Sequence, residues 1–127
     1  MAWTLEIPEL EMPKHPSALS DVQPLLQRLI DAFGQNAVAR LLNVNNGTVA
    51  RWRLRQRKMD IEYAKRVIDL HDVLNRAFQV FQPETAMRWL VGAEPFLDHK
   101  RPLDVLALEG AAPLVAALDA IDATAYA

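Results

Sequence analysis

Apolar residues recur at every third or fourth position over most of the chain after residue 20, a spacing that aligns side chains on one face of an α-helix. The first helix is predicted to begin at a capping box formed by Ser20 and Gln23, and Gly34 supplies its left-handed stop. Alternation typical of a β-strand occurs only within the first dozen residues. The pattern therefore predicts an all-α protein preceded by an extended N-terminal arm.

A tight reversal is predicted between the next two helices. The first spans Gln35–Leu42, and Asn43 then stands where a residue that tolerates positive φ is needed. Val44 follows as a single apolar residue, and either Asn45 or Asn46 caps a helix of about ten residues. The inward positions are Val38, Ala39 and Leu42 on the first helix, and Val49 and Trp52 on the second.

A longer helix is predicted from Asp60, a capping candidate with Glu62 in the first turn. Prolines and glycines then bracket three shorter helices, which are expected at Pro83–Gly92, at Pro102–Gly110 and from Pro113 onward. The apolar stripe predicted for the long helix consists of Ile61, Ala64, Ile68, His71, Leu74, Phe78 and Phe81.

The reversal has the spacing of a helix-turn-helix motif. In that motif a small residue stands where two helices cross, the turn needs positive φ, and an apolar branched residue anchors the second helix. Ala39, Asn43 and Val49 occupy these places, at successive offsets of four and six positions. An ordinary pair of packed helices is the alternative, and the nearby basic residues favour the DNA-binding version.

The net charge of the 127-residue chain, −2, conceals a local asymmetry. Between Arg40 and Arg66 there are eight basic and two acidic residues, a local charge of +6, so the remainder carries −8. A basic segment in an otherwise acidic protein indicates an anion-binding face, for which nucleic acid is the commonest partner. A solvated basic helix is the alternative.

Contacts with DNA follow from the geometry of a recognition helix, whose first two turns face base edges. Arg51 suits guanine O6 and N7, Asn46 suits adenine N6 and N7, and Gly47 permits a close backbone approach. Gln35, Thr48, Arg55 and Lys58 are predicted to contact the phosphate backbone, whereas Arg53 and Arg57 are expected to point elsewhere. The predicted DNA-binding residues are Gln35, Asn46, Gly47, Thr48, Ala50, Arg51, Arg55 and Lys58.

Several other kinds of chemistry are not expected. The chain has no cysteine and three histidines without metal-ligand spacing, so neither a disulfide nor a metal site is predicted. No glycine-rich phosphate loop is present, and Asp98–His99 lacks a nucleophile. We therefore expect a protein without a cofactor or enzymatic activity, and His71 reads as a core histidine. With no export signal or membrane span in the sequence, we expect a soluble, cytoplasmic protein.

The C-terminal third carries a resemblance to a known family. Its residues are Trp89-Leu90, Leu97, the stretch RPLDVLALEG from Arg101 to Gly110, and Leu118 with Ile121. Together with the upstream turn, they resemble the Xre/MbcA/ParS-type antitoxins, over roughly Ser20 to Ala123. The resemblance implies an Xre-like helix-turn-helix bundle followed by a small helical toxin-binding domain. The predicted segments are an arm at 1–19, a DNA-binding region at 20–59, a connecting helix at 60–82 and a toxin-binding domain at 83–127.

The same resemblance implies a function. The protein would be a type II antitoxin that covers the active-site entrance of an NAD-consuming RES-domain toxin and represses its own operon. Its partners would be that toxin and operator DNA, with the protein as a homodimer or a hetero-oligomer with toxin. The residues that would contact the toxin are Lys100, Arg101, Pro102, Leu103, Ile121, Thr124 and Tyr126.

Two other functions fit the same residues. One is a homodimeric helix-turn-helix regulator whose C-terminal helices serve dimerisation or bind a small effector. The other is a protein-interaction module that no longer binds DNA. This alternative is kept because Gly47, which has no side chain, stands at a position that would face the bases. The first 19 residues lie outside the family pattern, and an arm that packs on a partner chain or a disordered tail are equally compatible with them.

Overall fold

The structure, a computed structural model, describes residues 22–125. This range contains seven α-helices, one short 3-10 helix and no strand, which confirms the all-α prediction for these residues. No helix in the same range combines the length and apolar character needed to cross a membrane. The predicted arm at 1–19, the capping serine Ser20 and Tyr126 lie outside the described residues.

The helices begin and end close to the predicted signals. Contacts divide the chain into two compact units, one ending at Ile68 and the other beginning at Asp69. The division into four segments stays a prediction. The elements are α1 Val22–Phe33, α2 Gln35–Leu42, α3 Asn46–Arg53, α4 Ile61–Val80, α5 Pro83–Val91, a 3-10 helix Pro95–Leu97, α6 Pro102–Glu109 and α7 Ala112–Ala125.

The first unit is built on α1, α2 and α3, which pack against one another. Each helix turns one apolar face inward, because every third or fourth side chain is apolar. The inward positions predicted for α2 and α3 are all buried. The buried apolar residues of the first unit include Leu26, Leu29, Val38, Leu42, Val49 and Trp52.

Gly34 forms the corner between α1 and α2. Its φ is positive as predicted, at 88°, but its ψ of 154° is far from the left-handed helical value. This region of conformational space is essentially restricted to glycine. The expected left-handed stop is therefore wrong in detail, and Gly34 makes an extended corner instead.

The second unit contains α5, α6 and α7, with α6 packed against both neighbours. Pro83 and Pro102 stand in the first turns of α5 and α6, where a missing N–H costs nothing. Gly110 closes α6 at a φ of 84°. The buried apolar residues of the second unit include Leu90, Val105, Leu106, Leu114 and Leu118.

The apolar stripe predicted on α4 is wrong in part. Ile61 is 59% exposed, whereas Ala64, His71 and Leu74 are buried as expected. The buried face of α4 is therefore rotated relative to the predicted one. The helix also buries four side chains that the predicted stripe did not include. These are Val67, Leu70, Val73 and Ala77.

Candidate nucleic-acid and protein interfaces

The chain reverses at Asn43, as predicted. Asn43 has φ 56° and ψ 46°, and its N–H donates to the carbonyls of Ala39 and Arg40. Val44 N–H also donates to the Ala39 carbonyl, at 3.0 Å, so the last carbonyls of α2 are satisfied. Ala39 is buried, 4% exposed, as a small residue beneath this turn should be. A left-handed asparagine thus ends α2 and starts the turn toward α3.

Asn45 caps α3, which resolves the alternative left open between Asn45 and Asn46. The Asn45 Oδ1 atom accepts from Thr48 N at 2.7 Å and from Thr48 Oγ1 at 3.0 Å. Thr48 is only 8% exposed. Its hydroxyl is therefore engaged within the cap, which disfavours the predicted phosphate contact through this side chain.

The outer face of α3 is open to solvent. Asn46, Gly47 and Arg51 are exposed, and Ala50 is half-buried. A Cβ atom at Gly47 would lie 3.3 Å from Arg51 Nη1, so the guanidinium group folds back over the glycine. Arg51 Nη2 also donates to Thr48 Oγ1, at a long 3.4 Å. Gly47 leaves room for Arg51, a function that the sequence alone did not indicate.

Three polar side chains connect α2 with α3. Gln35 Nε2 donates to Asn46 Oδ1 at 2.8 Å and lies 3.4 Å from the Asn46 carbonyl oxygen. Gln35 Oε1 accepts from Arg53 Nε at 3.2 Å. Arg53 was expected to point elsewhere, and its guanidinium instead binds the glutamine that was predicted to contact phosphate.

The end of α3 is unusual because a non-glycine residue holds the left-handed position. Arg55 has φ 60°. Its N–H donates to the Trp52 carbonyl, and Gln56 N–H donates to the Arg51 carbonyl at 2.8 Å. This is the Schellman pattern, in which glycine is the usual residue. A side chain at this φ costs about 1 kcal/mol or more, and strained residues of this kind concentrate at functional sites.

After Arg55 the chain returns along α3 toward the turn. Arg57 and Lys58 line a shallow cavity of about 340 Å³ together with Asn43 and Asn45. Lys58 thus lies beside the predicted DNA-binding turn, and Arg57 lies there too, contrary to the expectation that it points away. The aromatic floor of this region is formed by Trp52 and Tyr63, with ring centroids 5.3 Å apart, and Arg66 stands over the Tyr63 ring at 5.2 Å.

Because Arg55 has a positive φ, replacing it with glycine is predicted to affect stability and DNA affinity differently. Arg55→Gly is expected to leave the free energy of unfolding unchanged or to raise it by up to about 1 kcal/mol, since glycine accepts this φ but orders at a higher entropic cost. If Arg55 contacts phosphate as the sequence predicts, the same variant should also bind DNA more weakly and lower the salt slope by about 0.9. Arg55→Ala is the matched control, which loses the charge but keeps the strain. If urea denaturation shows the Arg55→Gly variant to be less stable than Arg55→Ala, residue 55 does not have a left-handed backbone conformation.

In the second unit, a buried carboxylate holds the loop between α5 and α6. Glu94 is 4% exposed. Its Oε1 atom accepts from Trp89 Nε1 at 2.8 Å, and its Oε2 atom accepts from Phe96 N at 2.6 Å. Its backbone also forms an antiparallel bridge with Lys100. Nothing in the sequence distinguished this glutamate from the other acidic residues.

The tip of the same loop contains two consecutive left-handed residues. Asp98 has φ 58° and His99 has φ 63°, and Lys100 N–H donates to the Leu97 carbonyl at 3.1 Å. Positive φ at both central positions is typical of a type I′ turn. The pair dismissed as a catalytic fragment therefore forms a hairpin-like turn that leads into Lys100.

The residues predicted to contact a toxin differ in their exposure. Lys100 and Arg101 are exposed at a groove of about 380 Å³ beside α6, whose rim includes Leu108 at 85% exposure. Pro102 is buried and Leu103 half-buried, so neither presents a full surface. On α7, Ile121 is half-buried, and the exposed Thr124 donates its hydroxyl to the Ala120 carbonyl at 2.8 Å.

Arg101 is paired within its own helix turn. Its Nε and Nη2 atoms each donate to one Asp104 carboxylate oxygen at 2.8 Å, which lowers the pKa of Asp104 through these hydrogen bonds. Both side chains are exposed, so solvent screening keeps the effect on stability small. A lowered carboxyl pKa stabilises the folded state above the ordinary pKa, and this contribution is lost as the pH falls.

The pairing predicts a titration. In a carboxyl-detected NMR titration, Asp104 is expected to have a midpoint below its ordinary pKa of 3.8, whereas Asp104 in an Arg101→Gln variant should return to about that value. Equal midpoints for Asp104 in the two proteins would show that the pair is not formed in solution.

No protein-family model, curated protein or solved structure matches the chain. Any relationship to the antitoxin family therefore rests on the residues themselves.

Proposed function

We propose that the protein is a DNA-binding regulator in which α2, the reversal at Asn43 and α3 act as a helix-turn-helix. One observation carries the proposal: α3 begins directly after a left-handed reversal and turns Asn46, Gly47 and Arg51 to solvent. That arrangement suits a recognition helix, whose first turns reach base edges in the major groove.

The electrostatics of the first unit support the same function. Five cationic residues lie between Arg51 and Lys58, and none of them pairs with a carboxylate of residues 22–125. Unpaired, exposed cations attract the phosphate backbone and release its condensed counterions on binding. Left-handed Arg55 supports this reading, because glycine would fit the position better and carries no charge.

Binding of the full chain to its own upstream DNA tests the proposal. Fluorescence anisotropy across a salt series should give an affinity that falls steeply with salt, with a slope of about −0.9 for each phosphate contact. An unrelated duplex of equal length is the control, and it should bind more weakly at every salt concentration. Absence of binding at low salt, or an affinity that does not change with salt, would overturn the DNA-binding function.

A second function concerns the C-terminal unit, which we propose to be the toxin-binding part of a type II antitoxin directed at a RES-domain toxin. The groove beside α6 and the exposure of Leu108 and of Phe96, at 85% and 54%, favour a protein partner. The resemblance of the stretch from Arg101 to Gly110 to the antitoxin family supports a RES-domain toxin as that partner. In this function the antitoxin covers the toxin's active-site entrance and represses its own operon. A homodimeric regulator that buries the same apolar residues between two copies is the alternative.

Co-expression with the product of the adjacent gene separates these two functions. An antitoxin should rescue growth and co-purify with that product, and Leu108→Ser should weaken the complex. Ala107→Ser, also exposed on α6, is the matched control that should leave it intact. A protein that ignores the neighbouring product, and whose dimer by light scattering is disrupted by Leu108→Ser, would instead be the homodimeric regulator.

A further inference from the structure

The hydrogen bonds that join α2 to α3 have only one consistent orientation. An arginine side chain can donate but not accept, so the Gln35 atom that faces Arg53 must be the amide oxygen. The Gln35 amide nitrogen then faces Asn46, and the Asn46 atom that receives it must be Oδ1. Amide orientations are otherwise ambiguous, and here the arginine fixes both of them.

This orientation limits what Asn46 can offer to DNA. A bidentate contact with adenine uses the asparagine oxygen to accept from N6 and the asparagine nitrogen to donate to N7. Because Asn46 Oδ1 already accepts from Gln35 at 2.8 Å, one of its two lone pairs is used, whereas its NH2 group donates to no other residue within 22–125. An NH2 group only donates, so it matches a base edge that presents only acceptors. The major-groove edge of guanine, with N7 and O6, fits best.

We propose that Arg53 is a positioning residue that sets the base preference of Asn46 through Gln35. Arg53 acts through Gln35 in this arrangement, since its Nε donates to the Gln35 amide oxygen on α2. It holds Gln35 so that Asn46 presents hydrogen-bond donors and selects guanine over adenine. The inference depends on the proposed DNA-binding function, and it revises the adenine contact that the sequence predicts for Asn46.

The Gln35→Glu substitution tests the mechanism, because it should reverse which end of the Asn46 amide faces outward. A glutamate at position 35 has only acceptors, so it still binds Arg53 but now requires the NH2 group of Asn46. Asn46 must then turn its oxygen outward, and its preference should change toward the donor-bearing edges of adenine or cytosine. The expected change is about tenfold in relative affinity at one base pair.

The experiment is selection of duplexes from a library randomised over the bound upstream site, with the full chain. Asn46→Ala first identifies the base pair that Asn46 reads. Wild type should prefer guanine there, Gln35→Glu should prefer adenine or cytosine, and Arg53→Met should lose the preference for guanine over adenine. Arg57→Met is the matched loss of one charge, and it should weaken all sequences alike. Thermal melts of each variant check that the fold is retained.

The outcomes distinguish the two hypotheses. If wild type does not bind duplex DNA, the DNA-binding function fails; if it binds DNA but enriches no sequence, base reading by Asn46 and the relay through Arg53 fail. If wild type enriches a site but Asn46→Ala changes no position, or Gln35→Glu retains the wild-type base, the relay through Arg53 is overturned. A wild-type preference for adenine at the Asn46 position would overturn it as well.

Discussion

Arg51→Ala is expected to weaken binding to the protein's own upstream DNA by about 1–3 kcal/mol and to relax the base preference at one position. Arg51 is exposed on the outer face of α3, and the lack of a side chain at Gly47 gives its guanidinium group room. Its hydrogen bond to Thr48, at 3.4 Å, is long and therefore weak. Most of its donors remain available for guanine O6 and N7. Competition binding with duplexes altered at single positions measures both effects.

Lys58→Ala serves as the contrasting variant. Lys58 lies on the return loop beside Asn43 and Asn45 rather than on the outer face of α3. Its removal should weaken every sequence alike and reduce the salt slope by about one, since a point charge on phosphate carries no sequence information. If Arg51→Ala weakens all sequences equally as well, α3 does not read bases through Arg51.

Glu94→Ala is expected to lower the free energy of unfolding by about 2 kcal/mol, because two hydrogen bonds to a buried carboxyl group are lost. The donors are Trp89 Nε1 and the backbone N–H of Phe96. Urea denaturation followed by tryptophan fluorescence measures the effect. Glu109→Ala, at an exposed position at the end of α6, should change stability by less than about 0.5 kcal/mol.

Glu94→Ala also tests whether Glu94 supports partner binding. The Glu94 backbone bridges to Lys100 at the edge of the proposed toxin-binding groove. Loss of its side chain should therefore weaken a toxin complex; Glu109 lines the same groove, so Glu109→Ala is a control for stability alone. A Glu94→Ala protein as stable as Glu109→Ala would show that this carboxylate does not hold the loop.

Local chemistry was sufficient to predict most element boundaries. Asn43 and Asn45 identify the turn because asparagine tolerates positive φ and its side chain caps helices. Pro83 and Pro102 identify two helix starts, since proline fits only the first turn. Each of these signals lies within a few residues of the feature that it predicts, so no tertiary information is needed.

Features that depend on distant contacts were not predictable. On α4, Leu70 is buried and Ile61 is exposed, and apolar spacing alone could not choose between two neighbouring faces. Left-handed Arg55 gave no signal, because the residue that usually marks this position is glycine. Buried Glu94 resembles any loop glutamate until its two donors are located.

The residues of the candidate DNA site stay a prediction, and the structure shows contacts among them that the sequence did not indicate. Gln35 and Asn46 were expected to face DNA separately, yet they hydrogen-bond each other across 11 positions of sequence. Thr48 was expected at a phosphate and is buried in the cap of α3. A sequence indicates which side chains have the right chemistry, whereas the three-dimensional packing of α2 on α3 decides which of them remain available.

NMR titration of the labelled full chain with its upstream duplex tests most directly whether the reversal at Asn43 presents α3 to DNA. Amide shifts should be largest at Gln35 and from Asn43 to Lys58, and the Gly47 signal should move early in the titration. Residues 69–125 should change little. Shifts confined to residues 69–125, or an α3 whose signals stay in place while DNA binds, would contradict a DNA-reading role for this helix.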